Sequence, residues 1–389
     1  MLVVTYNPHG VIPDSRGYAP SLAAQYLARH LKSFHNVHVC AQDSHPLSYE
    51  VDPEHGPIWR IKEGAIYRRL FRKITRLDPW PLHARLARLL RDQVVDLLHA
   101  HQLEFPVSDF RRRFGRSLPI VLHAHAVRSF IPERGVADAY IAVSRFTRDA
   151  LISKGFPPER VHVVHNGADT ERFAPVTSEQ RERLRAQFGF AGKNVIAYVG
   201  RKEEQKGYFD FLEALELLSR GKSEVRGIAA GNLPLGAEQD PTFVPALERA
   251  RRLVARGVLL DLPPLPHRDL PAVFQVAEVL LFPTRFKGEQ HPLVLIEALA
   301  AGCVVLTNPI AGIPETVGDG TVVFLKQDAN AADLAQAVTD VLDHPQRYVG
   351  MRERGRELAV TRYDWRQQSL ELERIYLSCL GVDRLRERP

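Results

Sequence analysis

The sequence is poor in cysteine and methionine and has no long apolar run. Only three of its 389 residues are cysteine and two are methionine. Cys40, Cys303 and Cys379 are far apart, without a Cys-x-x-Cys spacing, which is typical of reduced thiols in a cytosolic protein. No segment approaches the roughly 18 to 20 apolar residues of a spanning helix. The chain opens directly on strand-like sequence, so no signal peptide is expected.

Three nucleotide-enzyme motifs are also missing. The chain lacks the Gly-x-Gly-x-x-Gly of dinucleotide-dependent oxidoreductases and the Gly-x4-Gly-Lys-Ser/Thr of P-loop phosphotransferases. The first two absences disfavour a dinucleotide-dependent oxidoreductase and a P-loop phosphotransferase. The chain contains no Asp-x-Asp either, which disfavours a metal site.

Positive charge is unevenly distributed. Residues 1–168 hold 23 Lys and Arg against 15 Asp and Glu, whereas residues 169–389 hold 29 against 31. The excess of the first half suggests contact with something anionic. A solvated basic face remains the alternative. No nucleic-acid partner is expected.

Short apolar runs alternate with longer amphipathic segments along the whole chain, a pattern that predicts parallel sheets built from βαβ units. A chain of this length exceeds one ordinary core. We therefore predict two doubly wound α/β domains, residues 1–170 and 171–389, with a linker near 170–190. Their facing strand ends would form a cleft, where such sheets bind ligands. The last helix, about 363–380, could pack back on the first domain.

The segment Trp59–Arg91 combines many basic residues with an apolar stripe of helical spacing. The stripe consists of Ile66, Leu70, Phe71, Ile74 and Leu77. Such a helix can lie on an anionic membrane surface. Amphipathic helices of soluble proteins usually bury their stripe, however, so packing on its own domain is the expected arrangement.

Two glutamates flank a predicted helix start. Pro292 suits a first helical turn, so Glu289 precedes the helix and Glu297 lies on its second turn. The first-turn amides of Leu293 and Val294 form an anion site suited to a diphosphate. Carboxylates beside phosphate would repel it, so both glutamates are interpreted as acceptors for sugar or ribose hydroxyls.

A second motif lies between a predicted strand and a predicted helix. Gly200-Arg201 and Lys206-Gly207 place two cations at one strand end. Arg201 and Lys206 could neutralise a leaving diphosphate, and stabilising such charge is often the largest catalytic contribution.

With these motifs the chain resembles glycosyltransferase family 4, the retaining glycosyltransferases of GT-B architecture. Further matching pieces are Glu297-Ala298-Leu299-Ala300-Ala301-Gly302, His165-Asn166-Gly167-Ala168-Asp169 and Val143-Ser144-Arg145-Phe146. The resemblance covers nearly the whole chain and implies two Rossmann-like domains. It also implies transfer from a UDP- or GDP-sugar without a bound metal or other cofactor.

The resemblance implies a role for each matching position. Glu297 would bind the ribose, Glu289 the hydroxyls of the transferred sugar, and Arg201 with Lys206 the diphosphate. The remaining positions would line the donor through backbone or side chain: Gly17, Leu265, Leu293 and Val294. Gln290-His291 departs from the family's usual Gly-Phe, which alters the sugar pocket, and the first loop lacks the usual paired glycine.

Four histidines lie at two predicted strand ends. His99 and His101 end one strand and His123 and His125 the next, and alternation puts each pair on one face. Imidazoles so placed could bind zinc, but the resemblance implies no metal. It places His125, or alternatively His123, beside the reacting carbon. His99 fits a structural role best, and His101 remains open.

The resulting expectation is a retaining hexosyl- or N-acetylhexosaminyltransferase. It would act on a glycan or lipid-linked acceptor of polysaccharide or lipopolysaccharide biosynthesis, in the cytoplasm or at the inner membrane face. The alternatives are a sugar-nucleotide epimerase or phosphorylase of the same fold, and a non-catalytic nucleotide-sugar-binding protein.

Overall fold

The computed structural model describes residues 1–7, 18–42, 48–61, 66–115, 117–127 and 133–382. The chain divides into two compact units, one formed by Met1–Asn166 with Trp365–Pro389 and the other by Gly167–Asp364. The predicted pair of doubly wound α/β domains is confirmed, since each unit has its own sheet.

The first unit is built on an eight-stranded sheet in the order β3-β4-β2-β1-β5-β6-β7-β8, in which only β3 is antiparallel to its neighbour. Its strands are β1 (Leu2–Asn7), β2 (Asn36–Gln42), β3 (Tyr49–Asp52), β4 (Gly56–Ile61), β5 (Leu97–Ala100), β6 (Ile120–Ala124), β7 (Ala139–Ala142) and β8 (Val161–Val163). The central strands are buried along their whole length, which explains their near-continuous apolar sequence.

The described residues of this unit form six α-helices. They are α1 (Ala19–Leu31), α2 (Ile66–Thr75), α3 (Leu82–Leu90), α4 (Val107–Phe114), α5 (Arg145–Ser153) and, from the end of the chain, α14 (Trp365–Cys379). Helix α14 packs on α1, where the rings of Tyr26 and Trp365 stack with centroids 5.6 Å apart.

The second unit contains a six-stranded parallel sheet in the order β11-β10-β9-β12-β13-β14. Its strands are β9 (Asn194–Val199), β10 (Val225–Ala230), β11 (Leu259–Leu262), β12 (Val279–Phe282), β13 (Val304–Thr307) and β14 (Val323–Phe324). Its helices are α6 (Ser178–Gln187), α7 (Tyr208–Gly221), α8 (Val244–Ala255), α9 (Pro271–Val276), α10 (Leu293–Ala300), α11 (Ile313–Val317), α12 (Ala331–Asp343) and α13 (Val349–Arg362). The strand order reverses between β9 and β12, which is where doubly wound sheets bind ligands.

The basic segment Trp59–Arg91 is not one helix. Trp59 lies buried in β4, and α2 and α3 are separate helices with a turn at Arg76 between them, where φ is 58°. The expectation that the apolar stripe is buried is wrong. Ile74 is 80% exposed, whereas the charged Arg68 on the same helix is only 6% exposed and pairs with Asp78.

Within the described part of the chain, no helix has both the length and the apolar character needed to cross a bilayer.

Candidate functional site

The loop after β9 carries the first predicted cations. Arg201 follows the strand directly, and a short 3-10 turn at Glu204–Lys206 leads into α7. The buried Tyr198 hydroxyl donates to the Arg201 carbonyl at 2.6 Å, which anchors the loop to the strand.

Gly207 fixes where Lys206 lies. Its φ is 79°, and a Cβ there would come within 2.5 Å of the Pro283 carbonyl oxygen. Only glycine allows this approach without strain. The close contact places the end of the 3-10 turn against the segment that follows β12.

Lys206 and Glu289, 83 positions apart in sequence, meet here. The Lys206 Nζ donates to Glu289 Oε1 at 2.7 Å, and the Thr284 hydroxyl donates to the same oxygen at 3.0 Å. The Glu289 side chain is buried. Gly312 extends the arrangement by donating its amide to the Glu289 carbonyl at 2.8 Å.

Burial changes the ionisation of this lysine. It lowers the pKa of Lys206 below its ordinary value, and the adjacent Glu289 carboxylate offsets part of that effect. The pair is therefore a desolvated cation held beside a single anion. An incoming diphosphate could take over the role of the carboxylate.

Phe286 joins the two predicted cations. Its ring centroid lies 4.3 Å from Lys206 Nζ and 5.5 Å from the Arg201 guanidinium carbon. Arg201 also pairs with Glu203 at 2.5 Å and keeps about half of its side chain exposed. Because Arg201 is exposed to water, it can exchange one anion for another more easily than Lys206 can.

Helix α10 begins directly after Pro292, as predicted. The amides of Leu293 and Val294 in its first turn have no carbonyl partner within the helix. Among the residues that the structure describes, no side chain caps this end. Backbone amides with the positive end of the helix dipole make a site for phosphate oxygens.

Glu297, on the second turn of α10, is buried and bonded to a histidine. Its Oε1 lies 2.7 Å from His267 Nε2, and the His267 ring packs against Phe173 with centroids 5.4 Å apart. His267 begins the 3-10 turn that follows Leu265. The histidine fixes one carboxylate oxygen and leaves the other available to a ligand.

Sequence reasoning missed several residues of this site. Thr284, Phe286 and His267 carry no motif of their own, so only their three-dimensional contacts identify them. Lys202 was also missed. It is buried at the end of β9, where its Nζ donates to the Leu262 carbonyl at 2.7 Å and pairs with Asp261 at 2.7 Å.

In the first unit, the predicted residue His125 follows β6. Its Nε2 lies 3.0 Å from Nδ1 of His101, which follows β5 at the point where that sheet reverses its order. Burial lowers the pKa of His125 to about 3, so this imidazole is neutral at pH 7. The predicted donor residue Gly17 lies outside the described residues.

The structure thus groups the predicted residues by unit. In the second unit it brings Arg201, Lys206 and Glu289 around Phe286, and it places Glu297 on the helix whose first turn holds Leu293 and Val294.

Comparison with known proteins identifies matches to both halves. Residues 22–172 match the model described as Glycosyltransferase Family 4, and residues 180–358 match that described as Glycosyl transferases group 1. Alpha-maltose-1-phosphate synthase of Mycolicibacterium smegmatis is 31% identical over 64% of this chain and 67% of its own length. Lipopolysaccharide 1,2-N-acetylglucosaminetransferase of Salmonella typhimurium is 25% identical over 96% and 97%.

A solved structure shares the fold. The crystal structure of Anabaena HepE in complex with UDP superposes with a TM-score of 0.76 at 19% identity, covering 97% of this chain and 100% of that one. The chain spans only about half the length of some curated relatives, with 48% of one relative covered and 56% of another. Two family models that together cover most of the chain, a relative above 30% identity and a shared two-domain fold lead to one conclusion: the chain belongs to glycosyltransferase family 4, the group 1 glycosyltransferases.

Proposed function

We propose that this protein is a retaining glycosyltransferase. It would move a hexosyl or N-acetylhexosaminyl group from a UDP- or GDP-sugar to a hydroxyl of a glycan or lipid-linked acceptor. The observation that carries the proposal is the ion pair between the largely buried Lys206 and the buried Glu289, which precedes the first turn of α10. It combines a cation for a diphosphate with a carboxylate for sugar hydroxyls.

The charges of the site suit a diphosphate leaving group. Lys206, Arg201 and the amides of Leu293 and Val294 would stabilise the negative charge that develops as the glycosidic bond breaks. Glu289, released from Lys206 when phosphate binds, would accept hydroxyls of the transferred sugar. Glu297 would accept the ribose hydroxyls with the oxygen that His267 leaves available.

Retention of anomeric configuration would follow from attack on the face that the diphosphate leaves. The acceptor hydroxyl forms the new bond to the anomeric carbon as the bond to phosphate breaks, and its proton passes to the leaving phosphate oxygen. His125, neutral at pH 7, would line the sugar. We expect no metal or other cofactor in this reaction, because the cations and amides supply the positive charge.

The acceptor proposal rests on α2. An apolar stripe exposed between cations is the pattern of a helix that lies in a membrane interface. Of the stripe, Leu70, Phe71, Ile74 and Leu77 are exposed, and so are the neighbouring Tyr67, Arg72 and Lys73. We therefore assign the protein to the cytoplasmic face of an anionic membrane and to cell-surface polysaccharide synthesis, and the full-length similarity to a lipopolysaccharide enzyme supports that assignment.

The experiment that tests the function is a thermal-shift panel of UDP- and GDP-sugars followed by product analysis. A donor that binds the native protein raises its melting temperature by mass action. Labelled donor should then yield an acceptor product with retained anomeric configuration by NMR. An epimerised or phosphorolysed sugar, or binding without turnover, would contradict the proposal.

A matched pair of lysine variants tests the site. Lys206→Ala should lower kcat roughly 100- to 1,000-fold, the usual effect of removing one group that stabilises developing charge. Lys222→Ala removes a lysine from the opposite end of α7, where it pairs with Asp343, and should leave turnover unchanged. Equal activity in the two purified variants would refute the assignment of Lys206.

A further inference from the structure

Four imidazoles lie on one face of the first unit's sheet. His99 of β5 is paired in register with Val121 of β6. Because side chains alternate along a strand, His99, His101, His123 and His125 all point to the same side. The proposed transfer reaction uses only His125 and leaves the other three unexplained.

These three are among the most buried polar side chains in the protein, with exposures of 0% for His99, 2% for His101 and 1% for His123. Within the described residues, Nε2 of His99, Nε2 of His101 and both ring nitrogens of His123 have no hydrogen-bond partner. Each such atom has lost its hydration without a compensating hydrogen bond, which destabilises the fold. A cluster of them calls for a ligand that would satisfy them together.

Hydrogen bonds fix which nitrogens are available. Nδ1 of His99 lies 2.6 Å from the Tyr376 hydroxyl of α14, and Nδ1 of His101 lies 3.0 Å from Nε2 of His125. If each Nδ1 carries the proton and donates it, each Nε2 presents a lone pair. Metal-binding histidines show this arrangement, in which an outer partner holds the second ring nitrogen.

We propose that His99, His101 and His123 form a binding site for one divalent transition-metal ion of the zinc class. One ligand atom from each lies within 4.8 Å of the others. Zinc–nitrogen bonds of about 2.0–2.1 Å in tetrahedral geometry set neighbouring nitrogens about 3.4 Å apart. The His123 ring is stacked on those of His99 and His101 at interplanar angles of 12° and 27°. Metal binding therefore requires the rings to rotate out of this stack, so that their lone pairs converge, and the triad to close by roughly an ångström. An all-imidazole set favours zinc, copper or nickel over magnesium or calcium.

The proposed transfer chemistry does not require a metal at this site, although the ligand His101 contacts His125. All three ligands lie on or directly after adjacent strands of the first unit, whereas the residues proposed to stabilise the diphosphate belong to the second. The ion would cross-link β5 to β6, and sugar transfer would still proceed without a metal in its reaction centre. Failure of the metal proposal therefore leaves the transfer proposal intact.

The test is metal binding by the full chain. Chelator-treated protein, dialysed against Zn²⁺, should retain one equivalent by elemental analysis and melt at a higher temperature than the metal-free form. Co²⁺ should give the visible absorption of a tetrahedral nitrogen site. Retention of less than a tenth of an equivalent, with no shift in melting temperature, would overturn the proposal and leave a stacked histidine array.

A phenylalanine variant separates metal binding from folding. His123→Phe keeps an aromatic ring and removes two nitrogens that make no hydrogen bond, so the metal-free variant should melt at or above the wild-type temperature. It should no longer respond to Zn²⁺. The control His344→Phe changes a half-exposed histidine of the second unit and should bind like wild type. If chelator-treated His123→Phe takes up one equivalent of Zn²⁺, as wild type and the control are expected to do, the assignment is disproved.

Discussion

Lys206 keeps its charge in a buried setting chiefly because of one carboxylate. Burial lowers the pKa of Lys206, and Glu289 raises it again only in part. The protonated form is the one that can stabilise a diphosphate. Its population falls as the pH rises through a pKa that lies below the ordinary lysine value of about 10.4.

A pH profile should report this shift. In the free enzyme, kcat/KM should decline on the alkaline side at a lower pH than an exposed lysine would give, because kcat/KM follows free-enzyme ionisations. The limb in kcat should move to higher pH, since bound diphosphate adds negative charge beside Lys206. Steady-state rates between pH 7 and 11 measure both. A kcat/KM limb at the ordinary lysine pKa would contradict the effect of burial.

His267 should act on the donor through Glu297. Removing it in His267→Ala leaves a buried carboxylate without its 2.7 Å partner, which costs about 1–3 kcal/mol. The predicted result is a donor KM raised roughly 10- to 100-fold, with a smaller change in kcat, because the ribose is remote from the broken bond. Calorimetric titration with the nucleoside diphosphate checks the affinity. The exposed His344→Ala serves as control, and an unchanged KM in His267→Ala would exclude the role.

Secondary-structure elements set what sequence can and cannot predict. Strands that are buried over most or all of their length, such as β9 and β12, are recognisable in the sequence as apolar runs, and Pro292 marks the start of α10. The sequence does not reveal His267 as the partner of Glu297, because a histidine 30 positions away has no local signature. Its position depends on how the β11 end meets α10, which is a property of the tertiary fold.

Helix α2 shows the same limit from the other side. Its spacing predicted an amphipathic helix correctly, but the orientation of the stripe depends on which side chains anchor the helix. Arg68, held by Asp78 through its Nε at 2.8 Å, lies on the buried side. A helix-period pattern reports that two faces exist and does not report which one meets the core.

Membrane binding by α2 is therefore a prediction at this scale. Vesicles containing anionic lipid should co-float the wild-type protein at low salt, and binding should weaken as salt rises. Replacing Leu70 and Ile74 together by serine should abolish flotation by removing the apolar contact. Leu235→Ser, at a fully exposed apolar residue of the second unit, should float like wild type. Equal flotation of the double variant, or none by wild type, would exclude this surface.

At the scale of the whole molecule, the chain visits the second unit and returns. The outgoing and returning segments run side by side. The Ala168 amide donates to the Tyr363 carbonyl at 2.8 Å, and Ala168 forms an isolated bridge with Asp364. Trp365 follows Tyr363 by two residues and already belongs to the first unit.

This division predicts that substitutions of two neighbouring aromatic residues destabilise different units. Trp365→Ala removes the stack on Tyr26 and should destabilise the first unit by about 3–5 kcal/mol. Tyr363→Ala, whose hydroxyl donates to the Glu315 carbonyl at 3.1 Å, should loosen the second unit instead. Hydrogen exchange should show lost protection in α1 for the first variant and in α11 for the second. The same pattern of lost protection in both would contradict the two-unit division.

The return of α14 also has a consequence for biosynthesis. While the ribosome is still making the second unit, the first unit has its described strands but lacks the helix that packs on α1 and brings the Tyr376 hydroxyl to His99. Domains generally fold in the order in which they are synthesised. Here the second unit can complete its fold first. Until α14 is made, the nascent first unit has an uncovered apolar helix face. Chaperone binding would matter most during this interval.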